Sequence, residues 1–154
     1  MAKLTPKSIR AAPTGRWLPD DARRGTGVLV LYVTGPGKGI WYFRYTTSTG
    51  RRDTLPLLYP HGACEYHEAG DGEATYSLKQ ARDLADKHRA VYLAGNRDLR
   101  GYYDQQIAQG AAAEQAALEA QRQAEAEAAR AVARREKHSL KALLAAYVCH
   151  LERR

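Results

Sequence analysis

The sequence predicts an α+β fold: a small antiparallel sheet of three to four strands packed on one helix, followed by a long helix rich in alanine, glutamate and arginine. Three observations predict it. Short apolar runs alternate with glycine-rich turns between residues 27 and 57, and one amphipathic helical stripe follows between residues 77 and 95. Beyond Asp98 large apolar residues become rare, so the core must form from the first hundred of the 154 residues.

The first half of the chain predicts one helical turn and then a series of strands. In "LTPKSI", Thr5 is a candidate N-cap and Pro6 occupies the first helical position. The segment "RWLPD" predicts a short strand. The run "GVLVLYVTG", residues 27–35, is typical of a longer strand, and its alternation places three apolar residues on one face: Leu29, Leu31 and Val33.

The next strand, "WYFRYT", follows the glycine-rich turn "GPGKG" and has two different faces. Trp41, Phe43 and Tyr45 alternate with Tyr42 and Arg44, so one face is aromatic and the other carries polar groups. The turn "TSTG" then leads into a strand over residues 51–57, in which Pro56 indicates an edge position or the end of the strand. Short strands joined by tight loops predict an antiparallel meander.

One helix is predicted to cover the apolar face of this sheet. Ser77 and Gln80 form a capping box, and Gly95 is a suitable C-terminal stop. Between them an apolar stripe is formed by Leu78, Ala81, Leu84, Ala85, His88, Val91 and Tyr92. We expect Trp41, Phe43 and Leu84 to be buried between sheet and helix. His88 could be a ligand, but its place on this stripe favours a residue at the boundary of helix and sheet.

The C-terminal third of the chain predicts two further segments, so the domains are expected at residues 1–98, 99–138 and 139–154. Residues 99–138 are strong helix formers with too few large apolar side chains to bury a face, which predicts a helical linker or a docking helix. If it is continuous it spans roughly 60 Å, although Gly110 could divide it, and a partly frayed tail is the alternative.

Residues 139–154 carry an apolar helical stripe that lacks a partner in the sequence. Ser139 is a candidate N-cap, and the stripe consists of Leu140, Leu143, Leu144, Tyr147, Val148 and Leu151. Side chains of this size are unfavourable in water. We therefore expect a chain that is truncated within its last helix, and that self-associates through residues 139–154.

Charge and composition indicate a polyanionic partner. Residues 1–60 contain ten Lys or Arg against three Asp or Glu, so this segment accounts for a charge as large as the net +7 of the chain. Such an excess favours nucleic acid, because neutralising phosphates releases condensed counterions. No apolar run is long enough for a transmembrane helix, the N-terminus lacks a signal-peptide apolar region, and the two cysteines suggest no disulfide framework. Cytoplasmic localisation is the default expectation.

A metal site is conceivable only in the segment "HGACEYHEAGDGEAT". His61, Cys64 and His67 lie close together in it, with Glu65 and Glu68 beside them. A structural zinc site normally has four ligands in a repeated pattern, whereas this segment offers three and some acidic residues. The preferred interpretation is a flexible acidic loop that lies away from the face that binds nucleic acid, with neither metal nor cofactor.

The order of these motifs resembles a known family. The patterns "GxLxLxV", "WxFRY", "TLxL" and "YSLKQAR", together with "LTPKSIRAA" at the start and "AGNRD" after the helix, are similar to the integrase arm-type DNA-binding domain. This is the N-terminal module of many tyrosine recombinases of phages and other mobile genetic elements, and the likeness covers about residues 4–98. The segment from Ser139 is similar to the first helix of the core-binding domain that follows in such enzymes.

The resemblance implies sequence-specific binding of arm-type DNA sites for integration and recombination, with the exposed sheet face in the major groove. Outward-facing or turn residues then become candidate contacts: Tyr32, Thr34, Lys38, Tyr42, Arg44, Thr46, Arg51, Arg52 and Thr54. The chain itself contains no segment large enough to form a catalytic domain, so it is not predicted to be an enzyme. A double-stranded RNA-binding module and a helical interaction protein remain the alternatives.

Overall fold

The computed structural model describes residues 3–21, 25–73, 75–137 and 139–153. The elements follow in the order α1 (Pro6–Arg10), β1 (Trp17–Pro19), β2 (Val28–Gly35), β3 (Lys38–Thr46), β4 (Arg52–Pro56), β5 (Cys64–Tyr66), β6 (Thr75–Tyr76), α2 (Leu78–Leu93), α3 (Leu99–Lys137) and α4 (Leu140–Glu152). The fold is α+β, as predicted. No helix in the described residues is long and apolar enough to cross a membrane.

The sheet is built around β3, which pairs along both of its edges. β2 lies antiparallel to it on one side, and β1 extends the sheet beyond β2. On the other side β4 pairs with the second half of β3, from Tyr42 to Thr46, and β5 pairs with the first half, at Ile40 and Trp41. Pro56 ends β4, whose one sheet partner in the described chain is β3, as the missing amide donor predicts.

The sheet has six strands in the described residues, more than the three or four predicted. The additional strands β5 and β6 come from the segment that was interpreted as a flexible acidic loop, and they pair parallel to each other. That interpretation is wrong for residues 64–66, because Cys64 and Tyr66 are buried in the core. A strand as short as three residues carries too little periodicity to be recognised in the sequence.

The core lies between the sheet and α2. Leu29, Leu31, Trp41 and Phe43 are at most 2% exposed, which confirms the assignment of the strand faces. Burial along α2 follows the predicted stripe at Leu78, Ala81, Ala85, His88 and Tyr92, whereas Leu84, predicted to be buried, is only half-buried. The capping boxes at Thr5 and Ser77 are both formed.

The first turns of α3 belong to the same compact unit as the sheet, which extends to Gln106. Leu99 is fully buried, and Tyr103 packs against the core. Arg100 donates to the carbonyl of Thr54, and the hydroxyl of Tyr59 donates to Asp104. The domain boundary at Asp98 remains a prediction. These contacts attach the beginning of α3 to the sheet domain.

The second compact unit comprises residues 107–154 and contains the rest of α3 and α4. α3 is one helix of 39 residues that continues through Gly110. In α4, whose N-cap is Ser139, the six large apolar side chains of the predicted stripe are between 49% and 80% exposed.

Candidate nucleic-acid interface

The face of the sheet opposite α2, here called the outer face, is defined by the strand register. Residues that pair across an antiparallel sheet point to the same side. Arg44 pairs with Val28 and Thr54, and Tyr42 pairs with Val30 and Pro56. Trp41, Phe43 and Tyr45, which alternate with them, are buried in the core, so the even-numbered residues of β3 form the outer face.

All of the nine candidate contact residues lie on the outer face or in its turns. β2 contributes Tyr32 and Thr34, and β4 contributes Arg52 and Thr54. Lys38, Tyr42, Arg44 and Thr46 follow one another along β3, and Arg51 lies in the β3–β4 turn.

The structure gathers six of these residues into two groups. Arg44 and Thr54 are paired, and Thr46 is paired with Arg52, so the hydroxyls and guanidinium groups alternate at the β3–β4 end of the hairpin. Lys38 and Thr34 lie at the opposite end, beside the bulge between Val33 and Gly35. Lys38 is eight residues from Thr46, which corresponds to roughly 27 Å along an extended strand.

Hydrogen bonds stabilise the β3–β4 turn and fix the backbone next to the side chains of Arg51 and Arg52. The amide and the hydroxyl of Thr47 both donate to the carbonyl of Arg51, at 2.8 and 3.1 Å. Gly50, at φ +80°, occupies the position in the turn that favours glycine. The two guanidinium groups themselves are exposed.

The acidic residue of these strands points away from the outer face. Asp53 is the one carboxylate in β2, β3 and β4, and it accepts a hydrogen bond from the hydroxyl of Tyr45 at 2.9 Å on the core side. Burial, together with this hydrogen bond, raises the pKa of Tyr45 to about 12, so the phenol remains a donor. Arg100 lies 3.9 Å from the same carboxylate. The outer face of the hairpin therefore carries cations without neighbouring anions from its own strands.

β1 brings Trp17 to the outer face, a residue that the sequence did not mark as a contact. Trp17 pairs with Tyr32, and its ring centroid lies 4.9 Å from that of Tyr32 and 5.2 Å from that of Tyr42. The Cζ atom of Arg44 lies 5.2 Å from the Trp17 ring, within the range of a cation–π contact. The sequence predicted a strand in "RWLPD". Which side of the sheet Trp17 occupies, however, depends on the pairing of this strand with β2.

A buried ion pair anchors the end of β1. Arg82 of α2 donates to both oxygens of Asp20, at 2.7 and 3.0 Å, and the amide of Leu4 donates to the same carboxylate at 2.8 Å. Burial alone would raise the pKa of Asp20, but the hydrogen bonds from Arg82, Leu4 and Asp21 outweigh it and lower the pKa. The strand that carries Trp17 is thereby fixed to α2.

The segment considered for zinc provides core and sheet residues. Burial raises the pKa of Cys64 to about 12, which disfavours the thiolate that zinc requires. Within the described residues, no group of three or more His, Cys, Asp or Glu side chains is arranged to hold a metal ion. The expectation that this segment lies away from the outer face is wrong for Glu65, because Glu65 pairs with Ile40 on that face.

His88 lies where the helical stripe predicted it, between helix and sheet. One ring nitrogen is 2.9 Å from the carbonyl of Leu57 and the other is 2.7 Å from the hydroxyl of Tyr103. Burial lowers the pKa of His88, although the hydrogen bond with Leu57 opposes this shift. The imidazole joins α2 to α3 and to the segment that follows β4, and both of its ring nitrogens have protein partners.

Comparison with known proteins agrees with this geometry. The sequence profile of the arm DNA-binding domain family matches residues 4–106, about two thirds of the chain, and its end coincides with the end of the first compact unit. No curated protein and no solved structure gives a significant match. The match identifies a DNA-binding arm domain and no catalytic domain. The chain therefore belongs to the arm DNA-binding domain family.

Proposed function

We propose that this domain binds arm-type sites in duplex DNA as the N-terminal module of a tyrosine recombinase, with the outer face of the sheet in the major groove. Membership of the arm DNA-binding domain family supports DNA binding and indicates an integrase as the parent protein. The proposal that the outer face binds arm-type sites rests on the β3–β4 hairpin. Exposed or half-exposed guanidinium groups alternate there with hydroxyls, and Asp53 points to the other side of the sheet.

The two kinds of cation on this face are suited to different tasks. Arg44 lies within a strand, half-buried and in contact with Trp17, so its orientation is restricted and suits bidentate bonding to guanine O6 and N7. Arg51 and Arg52 lie at the turn and are exposed, which suits phosphate oxygens along the backbone. Arg44 is therefore proposed to read a base, and the turn arginines to position the domain on the duplex.

We also propose roles for the remainder of the chain in such a recombinase. The 99–138 segment would connect the arm domain to the next module, and the 139–154 segment would be the first helix of a core-binding domain. Recombination chemistry would then come from a separate catalytic domain. The exposed apolar side chains of α4 also favour a second role, self-association of this chain through residues 139–154.

Binding measurements on single variants test the assignment of the outer face. We expect Arg44→Ala to weaken binding of a selected duplex by about 1–3 kcal/mol, while non-specific binding changes little. Arg51→Ala and Arg52→Ala should weaken binding to all duplexes similarly. Each should also reduce the slope of log affinity against log salt concentration by about one, the amount expected for one lost phosphate contact. Lys87→Ala, which removes an exposed cation from α2, is the charge-matched control and should leave binding unchanged.

Two outcomes would contradict the proposal. Equal affinity of the three arginine variants and the wild type would remove the outer face from the interface. Tighter binding of duplex RNA than of duplex DNA, measured at two salt concentrations, would favour the RNA-binding alternative instead.

A further inference from the structure

Among the described residues up to Gln106, Trp17 is the one aromatic residue that is exposed, whereas the others are buried or half-buried. Among the described residues up to Gln106, the large apolar side chains that are exposed are Trp17, at 40%, and Leu93, at 58%. Leu93 belongs to the last turn of α2, away from the outer face. Trp17 lies on the outer face itself, where its ring adds flat apolar surface to a region otherwise lined by hydroxyls and guanidinium groups.

The ring of Trp17 is part of an ordered aromatic surface. Trp17 and Tyr42 belong to β1 and β3, the two strands that flank β2, and yet their ring centroids are 5.2 Å apart. Strands separated by one neighbour lie about 10 Å apart, so the two rings must lean over β2. Val30, which pairs with Tyr42, is fully buried although it is an outer-face residue. Trp17, Tyr32 and Tyr42 thus form a continuous pad, which we call the aromatic pad.

The pad also restrains Arg44. The guanidinium carbon lies 5.2 Å from the Trp17 ring centroid, and no described carboxylate forms an ion pair with Arg44. Its hydrogen-bond donors are therefore available to a ligand, while the stacked ring limits the rotamers of the long side chain. An apolar surface and a restrained bidentate donor consequently lie side by side.

This pairing of groups matches the chemistry of two neighbouring bases. In the major groove, guanine presents the acceptors O6 and N7, and thymine presents a methyl group that apolar side chains contact. Successive bases on one strand are about 3.4 Å apart, so a separation of 5.2 Å between guanidinium and ring corresponds to one or two base steps.

We propose that Trp17 is a specificity-determining residue that contacts the 5-methyl group of a thymine within two base pairs of the guanine bound by Arg44. The inference rests on the proposed function, since it assumes that the outer face enters the major groove. It adds to that function a named chemical group on the DNA, a second residue that reads sequence, and a spacing between the two contacts.

The experiment begins with DNA and needs no variant for its first step. A duplex is selected from a random library by the full chain, and each thymine is then replaced by uracil, which removes only the methyl group. Each guanine is separately replaced by 7-deazaguanine, which removes N7. We expect one thymine at which loss of the methyl group weakens binding about fourfold, as for a contact of one buried carbon, within two base pairs of a guanine that responds to 7-deaza substitution.

Variants then assign each contact. In Trp17→Ala the sensitivity to uracil at that thymine should disappear, whereas the sensitivity to 7-deazaguanine should disappear in Arg44→Ala. Trp17→Phe keeps an apolar ring and should retain at least half of the methyl effect, measured as the ratio of the two affinities. Because both affinities in each ratio come from the same variant, partial loss of folded protein does not imitate the result.

The outcomes separate the inference from the function on which it rests. If no thymine responds to uracil in the wild type, or if the response persists in Trp17→Ala, Trp17 is not the reader and the inference is overturned. A responsive thymine farther than two base pairs from the guanine of Arg44 overturns the proposed spacing. If the chain binds no duplex at all, the selection yields no site, and the proposed function itself fails.

Discussion

Asp20 shows how a single buried carboxylate can help to position a surface residue, because it ties separate segments of the chain together. Its oxygens accept from Arg82 and Leu4, and its own amide donates to the carbonyl of Leu29 at 2.8 Å. The carboxylate is almost completely buried, so its partners cannot be replaced by water without rearrangement. The short strand β1, and with it Trp17, depends on this clamp.

We expect Asp20→Asn to lower the free energy of unfolding by about 1–3 kcal/mol at pH 7, because the charge-assisted bonds from Arg82 are lost. The folded-state pKa of Asp20 lies below its unfolded value of about 3.9. The unfolded chain therefore binds the proton first, so the contribution is fully present above pH 4 and is lost as the pH falls through the folded-state pKa. Urea unfolding of wild type and variant at pH 7 and at pH 3 measures this.

The control for that experiment is Asp83→Asn, which changes an exposed carboxylate of α2. It should leave stability within about 0.5 kcal/mol of the wild type at both pH values. A difference between wild type and Asp20→Asn that stays constant down to pH 3 would show that the carboxylate contributes by shape and not by charge. His88 is present in the wild type and in both variants, so its effect cancels in the differences between them.

At the scale of elements, the beginning of β2 is set by close packing against β3. Gly27 has φ +80°, and a Cβ atom there would lie 2.2 Å from Cζ of Phe43. Gly25 has nearly the same φ, +79°, but nothing lies within 4 Å of the corresponding position. The two glycines therefore share the backbone requirement and differ in the space around them.

We expect Gly27→Ala to destabilise the domain by clearly more than Gly25→Ala. Left-handed backbone costs a non-glycine residue about 1–2 kcal/mol at either position, so this cost cancels in the comparison. The overlap with the ring of Phe43 adds about 1–3 kcal/mol at position 27, as in other overpacked cores. Urea unfolding monitored by circular dichroism provides the two values, and equal losses would mean that Phe43 moves aside without cost.

The element that the sequence predicted least well is β5. Its strand character depends on pairing with β3 at Ile40 and Trp41, which lie more than twenty residues earlier in the chain. Cys64 and Tyr66 enter the core only because that pairing exists. By contrast, the ends of α1 and α2 follow from local chemistry, since each capping box is contained within four residues.

At the scale of the whole molecule, the exposed apolar stripe of α4 has consequences for association. Its six large apolar residues are all at least 49% exposed, and a stripe of this size is a strong drive to bury surface. We expect the full chain to self-associate through residues 139–154, with a second copy of the same helix as the partner. Light scattering across a concentration series should show a mass above that of the monomer.

Deletion of residues 139–154 should give a monomer that binds selected DNA with the affinity of the full chain per site. A substitution control, Leu143→Glu with Tyr147→Glu, should reproduce the monomer without shortening the chain, since it places charges on the same face. If both variants still associate, the self-association interface lies outside residues 139–154. If the deletion abolishes DNA binding, α4 is part of the DNA-binding module.

The sequence by itself determined the α+β class, the alternation of β2 and β3, the caps of α1 and α2, and the family. Those features depend on residues close in the chain, where side-chain periodicity and capping act over a few positions. Only the tertiary structure decided that Trp17 joins Tyr42 and Arg44, and that Cys64 enters the core. Each of these depends on strand register, and a register is fixed by contacts between residues far apart in the chain.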